Sequence, residues 1–139
     1  MYDLKAEGAF AFTLSEETVE RFESKIDIPK NTDGRAVDTA ASMTVTGKIR
    51  SAGDGGIADS TIQAAQWANN MNDSQAYQNT TATATAAGQV LRRTTLPNAF
   101  VVGYSESFNV ASGVGSFELK VRQKKDLLEG YQIEGGFGL

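Results

Sequence analysis

Residues 97–125, PNAFVVGYSESFNVASGVGSFELKVRQKK, decide the fold. In their second half Phe117, Leu119 and Val121 alternate with Glu118, Lys120 and Arg122. Successive side chains of a strand point to opposite faces, so this segment has one apolar and one charged face. In the first half Phe100, Val102, Tyr104, Glu106 and Phe108 fall on one face, and Val101, Gly103, Ser105 and Ser107 on the other. Ala111-Ser112-Gly113-Val114-Gly115 supplies the small residues of a tight reversal. The stretch reads as a long β-hairpin whose polar face must meet water or a partner.

The same alternation recurs on the N-terminal side. In 41–50, Met43, Val45, Gly47 and Ile49 alternate with Thr44, Thr46, Lys48 and Arg50. In 80–87, Thr81, Thr83 and Thr85 face away from Ala82, Ala84 and Ala86, a pattern that suits a closely packed strand. Residues 89–96 read as a separate strand ending before Pro97, and 4–14 as a first strand with Phe10 and Phe12 on one face. Ser15, Glu16, Glu17 and Thr18 resemble a helix start, but Val19, Phe22, Ile26 and Ile28 favour a strand over about 20–28. One helix is predicted at about 58–72, with Asp59 or Ser60 as N-cap and a stripe of Ala64, Trp67, Ala68 and Met71.

Between these elements lie a long polar loop at 29–40, with Asp33-Gly34 as a turn signal, and a glycine-rich connector at 51–56. The tail 130–139 has four glycines and two aromatics, and is expected to order only against a partner. Six to seven strands and a single helix leave too few helices for βαβ crossovers. The expected fold is mainly β: a small antiparallel β-barrel or sandwich with one lateral α-helix, in a single domain spanning 1–139.

The chain of 139 residues has no cysteine and no histidine. That removes disulfides, the Ser-His-Asp triad, a cysteine nucleophile and nearly every zinc site. Thirteen basic and 17 acidic residues give a net charge of −4, and only Arg122-Gln123-Lys124-Lys125 approaches a basic run. Nucleic-acid sequence recognition is therefore not expected. The N-terminus lacks a basic-then-apolar leader pattern, and no apolar run reaches the roughly 20 residues of a membrane span. The expectation is a soluble protein made in the cytoplasm, without membrane insertion.

Few residue groups suggest a site. Asp54, Asp59 and Asp73 lack calcium-loop spacing and read as turn and capping residues. Gly53, Gly55 and Gly56 sit between a strand and a helix, but the Lys-Ser/Thr of a phosphate loop is missing. Trp67 and Met71 have the spacing of helix core residues. Arg92-Arg93 and Arg122 with Lys124-Lys125 read as solvated faces, while Lys48, Arg50, Lys120 and Arg122 leave open a shared basic surface. No catalytic, cofactor or metal residues emerge.

The order of elements (strands, long polar loop, strand, one helix, further strands) over about 38–128, sharpest over 88–126, resembles a tube-forming superfamily. It includes phage tail-tube proteins and the haemolysin-coregulated proteins (Hcp) of contractile secretion systems. AAGQVLRRTTLPNAFVV and the hairpin also look like small Firmicutes proteins often labelled membrane-associated proteases. A chain without histidine leaves that label only a Ser-Lys dyad without recognisable context or a pair among 17 scattered carboxylates, and a hydrolase is the third and least favoured reading. The tube resemblance implies a β-barrel protomer that forms hexameric rings, which stack into a tube with sheath or baseplate proteins as partners. It implies that Pro29, Asn31, Asp33, Gly34 and Arg35 lie at a ring-stacking interface, and that Thr44, Thr46, Lys48 and Arg50 face a lumen. It places the protein in the cytoplasm before assembly and in a virion-like or secreted particle afterwards. The alternative function is a monomeric or dimeric β-barrel binding module for an acidic ligand or protein.

Overall fold

In a computed structural model, which describes residues 2–15, 17–27, 40–50, 61–70, 75–123, 132–135 and 137–138, the alternating segments are strands. They are β1 (Tyr2–Glu7), β2 (Phe12–Leu14), β3 (Val19–Asp27), β4 (Ala40–Arg50), β5 (Gln78–Ala86), β6 (Gln89–Asn109), β7 (Val114–Gln123), β8 (Gln132–Glu134) and β9 (Phe137–Gly138). A single described helix, α1 (Thr61–Asn69), lies between β4 and β5. The expected ends of that helix, 58–60 and 71–72, fall outside the described residues.

The strands form one antiparallel sheet in the order β2-β1-β5-β6-β7-β4-β3, with β8 and β9 also paired to β6. β6 joins two halves. Up to Ala99 it pairs with β5, and from Ala99 onward with β7. The halves fold over one another around a shared core that includes Leu4, Leu14, Met43, Val45, Leu96, Leu119 and Val121. Tyr2 of one half meets Phe22 of the other edge-on, with ring centroids 5.5 Å apart. Among the described residues β2 and β3, the ends of the path, are not paired to each other, so the sheet is folded over without closing into a barrel.

The helix completes the core because its stripe is apolar. Ala64 and Trp67 are buried. Trp67 packs against Phe12 at 6.1 Å, and its indole N–H donates to the Ala76 carbonyl at 2.7 Å. A buried indole needs such a partner, since an unpaired N–H there costs about 1–3 kcal/mol.

Four expectations are corrected. Residues 4–14 are not one strand: β1 and β2 form a hairpin in which Leu4 faces Leu14. The reversal is anchored by the Phe10 N–H, which donates to Gln78 Oε1 at 2.6 Å. Pro97 does not end a strand either, because β6 runs through it. The single residue Asn79 there opposes both Pro97 and Asn98, a β-bulge flanked by the pairs Thr80–Leu96 and Gln78–Ala99. At a bulge the missing proline N–H breaks no ladder bond, and Asn98 takes a left-handed φ of 56°.

The third correction concerns Phe100 and Tyr104, which do not share a face. A second bulge between Val101 and Gly103 reverses the pleat, so Phe100 lies opposite Arg122 and Tyr104 opposite Leu119. Lastly, the tail segments β8 and β9 pair with β6 of the same chain rather than awaiting a partner.

Candidate functional site

The buried face of β4, carrying Ala41, Met43, Val45 and Gly47, turns Thr44, Thr46 and Lys48 to the opposite face, where each is half-buried. Strand register extends that face into polar rows across β3, β4, β7 and β6. One row is Glu23, Thr44, Lys120 and Gly103; the next is Arg21, Thr46, Glu118 and Ser105. A third is Lys25, Ser42, Arg122 and Phe100. Lys48 stands opposite Ser116, which in turn faces Ser107, and Arg50 pairs with Val114 at the end of β4. The expected lumen residues Thr44, Thr46 and Lys48 thus share a surface with Lys120 and Arg122.

Two ion pairs cross this surface, Arg21–Glu23 at 3.4 Å and Lys120–Glu118 at 3.3 Å. All four side chains are largely exposed, so each pair contributes about 0–1 kcal/mol.

Among the described residues the same half of the sheet has two edges without a paired strand, one of them flanked at Val101–Tyr104 by Ala65, Ala68 and Asn69 of α1. Beyond Ala99, β6 pairs with β7 alone, so its other edge is unpaired over 100–109 among the described residues. Among the described residues β3 pairs only with β4. At the hairpin tip Phe108 is 61% exposed and Val110 95% exposed. Gly115 lies in β7 rather than in the turn, and the Phe108 ring occupies the space its Cβ would take. Long unpaired edges invite pairing with another chain, and natural proteins normally cover them.

On the outer face of the other half, Asp3, Thr83, Arg93 and Glu134 form one row across β1, β5, β6 and β8. Arg93 pairs with Glu134 at 3.3 Å. Burial holds the Asp3 carboxyl above its ordinary value of 3.8, against the opposing pulls of the Thr83 hydroxyl and the Arg93 guanidinium. Trp67 is a core residue, as its spacing indicated. Pro29, Asn31, Asp33, Gly34 and Arg35 lie outside the described residues, as do Asp54, Asp59, Asp73, the 51–56 glycines and Met71. Among the described residues no cluster of acidic side chains is arranged to hold a metal, and no helix is long and apolar enough to cross a membrane.

The open β6 edge and the exposed tip were not visible in sequence. Alternation reveals which residues face the core, but not which strand edge goes unpaired.

The folded-over antiparallel sheet with its one lateral helix resembles the fold of Hcp and of tail-tube proteins. Hcp1 from Flavobacterium johnsoniae superposes with a TM-score of 0.55 at 13% identity, over 98% of this chain and 98% of that one. A chain of the native gene transfer agent virion gives 0.55 at 12% identity, over 96% and 95%. A chain of the PVC sheath–tube complex, an extracellular contractile injection system, gives 0.52 at 10% identity, over 97% and 88%. No protein-family model and no curated protein sequence matches the chain.

Proposed function

We propose that the chain is a structural subunit, without enzymatic activity, that closes head to tail into hexameric rings stacking into a tube. One observation carries this: among the described residues, the half built from β3, β4, β7 and the distal part of β6 is unpaired along both of its edges. Its four strands alternate in direction, so β6 runs antiparallel to β3. A second copy set beside the first can therefore continue the same ladder, β6 of one against β3 of the next. Such a contact uses two different surfaces, and it closes into a ring where the rotation between copies permits.

The fold shared with Hcp1 and with a chain of a sheath–tube complex supports this reading. In it, Thr44, Thr46, Lys48 and Arg50 face the lumen. Pro29, Asn31, Asp33, Gly34 and Arg35 contact the adjacent ring, and sheath or baseplate proteins are the outer partners. The subunit is made in the cytoplasm and works in a virion-like or secreted particle. The lack of histidine and cysteine fits a role without catalysis.

Because the chain has no cysteine, introduced thiols give a clean test. Ser105→Cys on β6 is combined in turn with Arg21→Cys, Glu23→Cys and Lys25→Cys on β3, and the protein is oxidised. The reading predicts, for at least one pair, a ladder of covalent oligomers that stops at the ring number. Monomer throughout the scan, with wild type monomeric by light scattering at high concentration, refutes it.

A further inference from the structure

Strand direction fixes what lies at each end of the four-stranded half. At one end Asp27 of β3 faces Ala40 of β4, and β7 stops at Gln123, one residue past the Ser42–Arg122 pair. At the opposite end Arg50, Val114 and Asn109 form one row, with the β6–β7 turn beyond them. In a ring closed through β6 and β3 the strands tilt but run from rim to rim. Every hairpin tip then falls on one rim, and every Asp27–Ala40 pair on the other. The rims differ, so a contact between them is head to tail and repeats from ring to ring without closing.

The tip is apolar and held in shape. Asn109 Oδ1 accepts from the N–H groups of Ala111 and Ser112 at 3.0 and 3.3 Å, and the Asn109 carbonyl accepts from the Gly113 N–H at 3.0 Å. Gly113 closes the turn with a left-handed φ of 69°. On this frame Val110 is 95% exposed, and Phe108 lies over Gly115 in the row of Ile49. Side chains on a preorganised turn lose little freedom on docking. The other rim has apolar groups of its own. Exposed Ile26 precedes Asp27, and half-buried Phe100 lies in the row of Lys25 and Arg122, with Tyr77 edge-on against it at 5.9 Å.

We propose that Phe108 and Val110 form the axial contact between rings, docking on the rim that carries Ile26 in the adjacent ring of the same chain. The proposal rests on the tube reading. Area favours a ring over a lone chain as the occupant. An exposed Phe and an exposed Val offer about 250 Å², or about 500 Å² per tip with the surface they cover. A stable pair of chains needs about 1,000 Å² or more, whereas six tips acting together bury about 3,000 Å². The tip therefore stays open in single copies and is covered when rings stack, each contact raising the effective concentration for the next.

The test uses the full chain, with ring number read by light scattering and rings per tube by electron microscopy at matched concentration. Val110→Asp places a charge on a side chain that the fold barely touches. Rings of the wild-type number are expected, in tubes at least tenfold shorter. The neutral Val110→Ser should shorten tubes as well, and Val110→Leu, which keeps the contact apolar, should stack like wild type. Leu91→Asp, at an exposed apolar residue of the other half, should also stack like wild type. Tubes of wild-type length in both Val110→Asp and Val110→Ser overturn the proposal, as does equal shortening by Leu91→Asp. Loss of the rings themselves in Val110→Ser, at an unchanged urea midpoint, places the tip in ring closure and overturns it too. Wild-type rings that never stack overturn the proposal and leave ring closure standing. Wild-type protein that forms no rings overturns the tube reading, and this proposal with it.

Discussion

Gly47 shows how one missing methyl group sets the entry to a strand. It is buried on the core face of β4, opposite Phe117, and the chain entering β3 passes directly over it. The Lys48 N–H donates to the Thr18 carbonyl at 2.9 Å, and a Cβ on Gly47 would collide with that same carbonyl and with the Phe117 ring. Gly47→Ala should therefore destabilise by about 1–3 kcal/mol, as overpacked cores do, read as a lower urea midpoint; an unchanged midpoint contradicts this contact. Asp3 offers a test of opposite sign. Burial raises its folded pKa above 3.8, so the folded chain holds the proton more tightly than the unfolded chain. The resulting cost is fully present above the folded pKa and is relieved as pH falls toward 3.8. Asp3→Asn should flatten stability against pH in the interval just above 3.8, and equal slopes for the two proteins would remove Asp3 from the account.

The long strand β6 is where sequence and structure part most. Its 21 residues would span about 70 Å if straight, too long for a chain of this size. Breaks in pairing around Leu91, at Pro97–Asn98 and at Val102 bend it from one half of the sheet to the other. In sequence Pro97 reads as a stop, and Phe100 to Phe108 as one alternating face, because a bulge becomes visible only once the partner strand is known. β7, by contrast, was legible from Ser116 onward, though not at Val114 and Gly115, which read as turn: Phe117, Leu119 and Val121 are buried and Lys120 and Arg122 exposed, as their alternation requires. So was the face shared by Thr44, Thr46 and Lys48. The β5–β6 turn supplies a further prediction. Ala87 and Gly88 both have positive φ, at 52° and 75°, in a two-residue hairpin loop that favours Asn-Gly. Ala87→Asn should stabilise by about 0.5–1 kcal/mol, raising the thermal midpoint by about 2–4 °C; a lower midpoint would mean that the turn is not of this type.

The whole molecule combines a finished core with an unfinished periphery. The two halves bury each other's apolar faces and α1 closes the side, yet among the described residues β3 and the distal β6 each pair along one edge only, and the hairpin tip carries exposed Phe108 and Val110. Among the described residues the edges of β3 and of β6 beyond Tyr104, where α1 no longer flanks it, carry no strand, and a neighbouring copy of the same chain can cover them. The alternation in β7 carries the same division: one side packs the core, and the other presents Glu118, Lys120 and Arg122. The most direct measurement is electron microscopy of the purified protein over a range of concentrations, with class averages resolved to strands. The account predicts closed rings in which β6 of each copy abuts β3 of the next and Lys48, Lys120 and Arg122 face the central hole. Single copies at every concentration, or rings in which the β6 edge faces solvent, would contradict it.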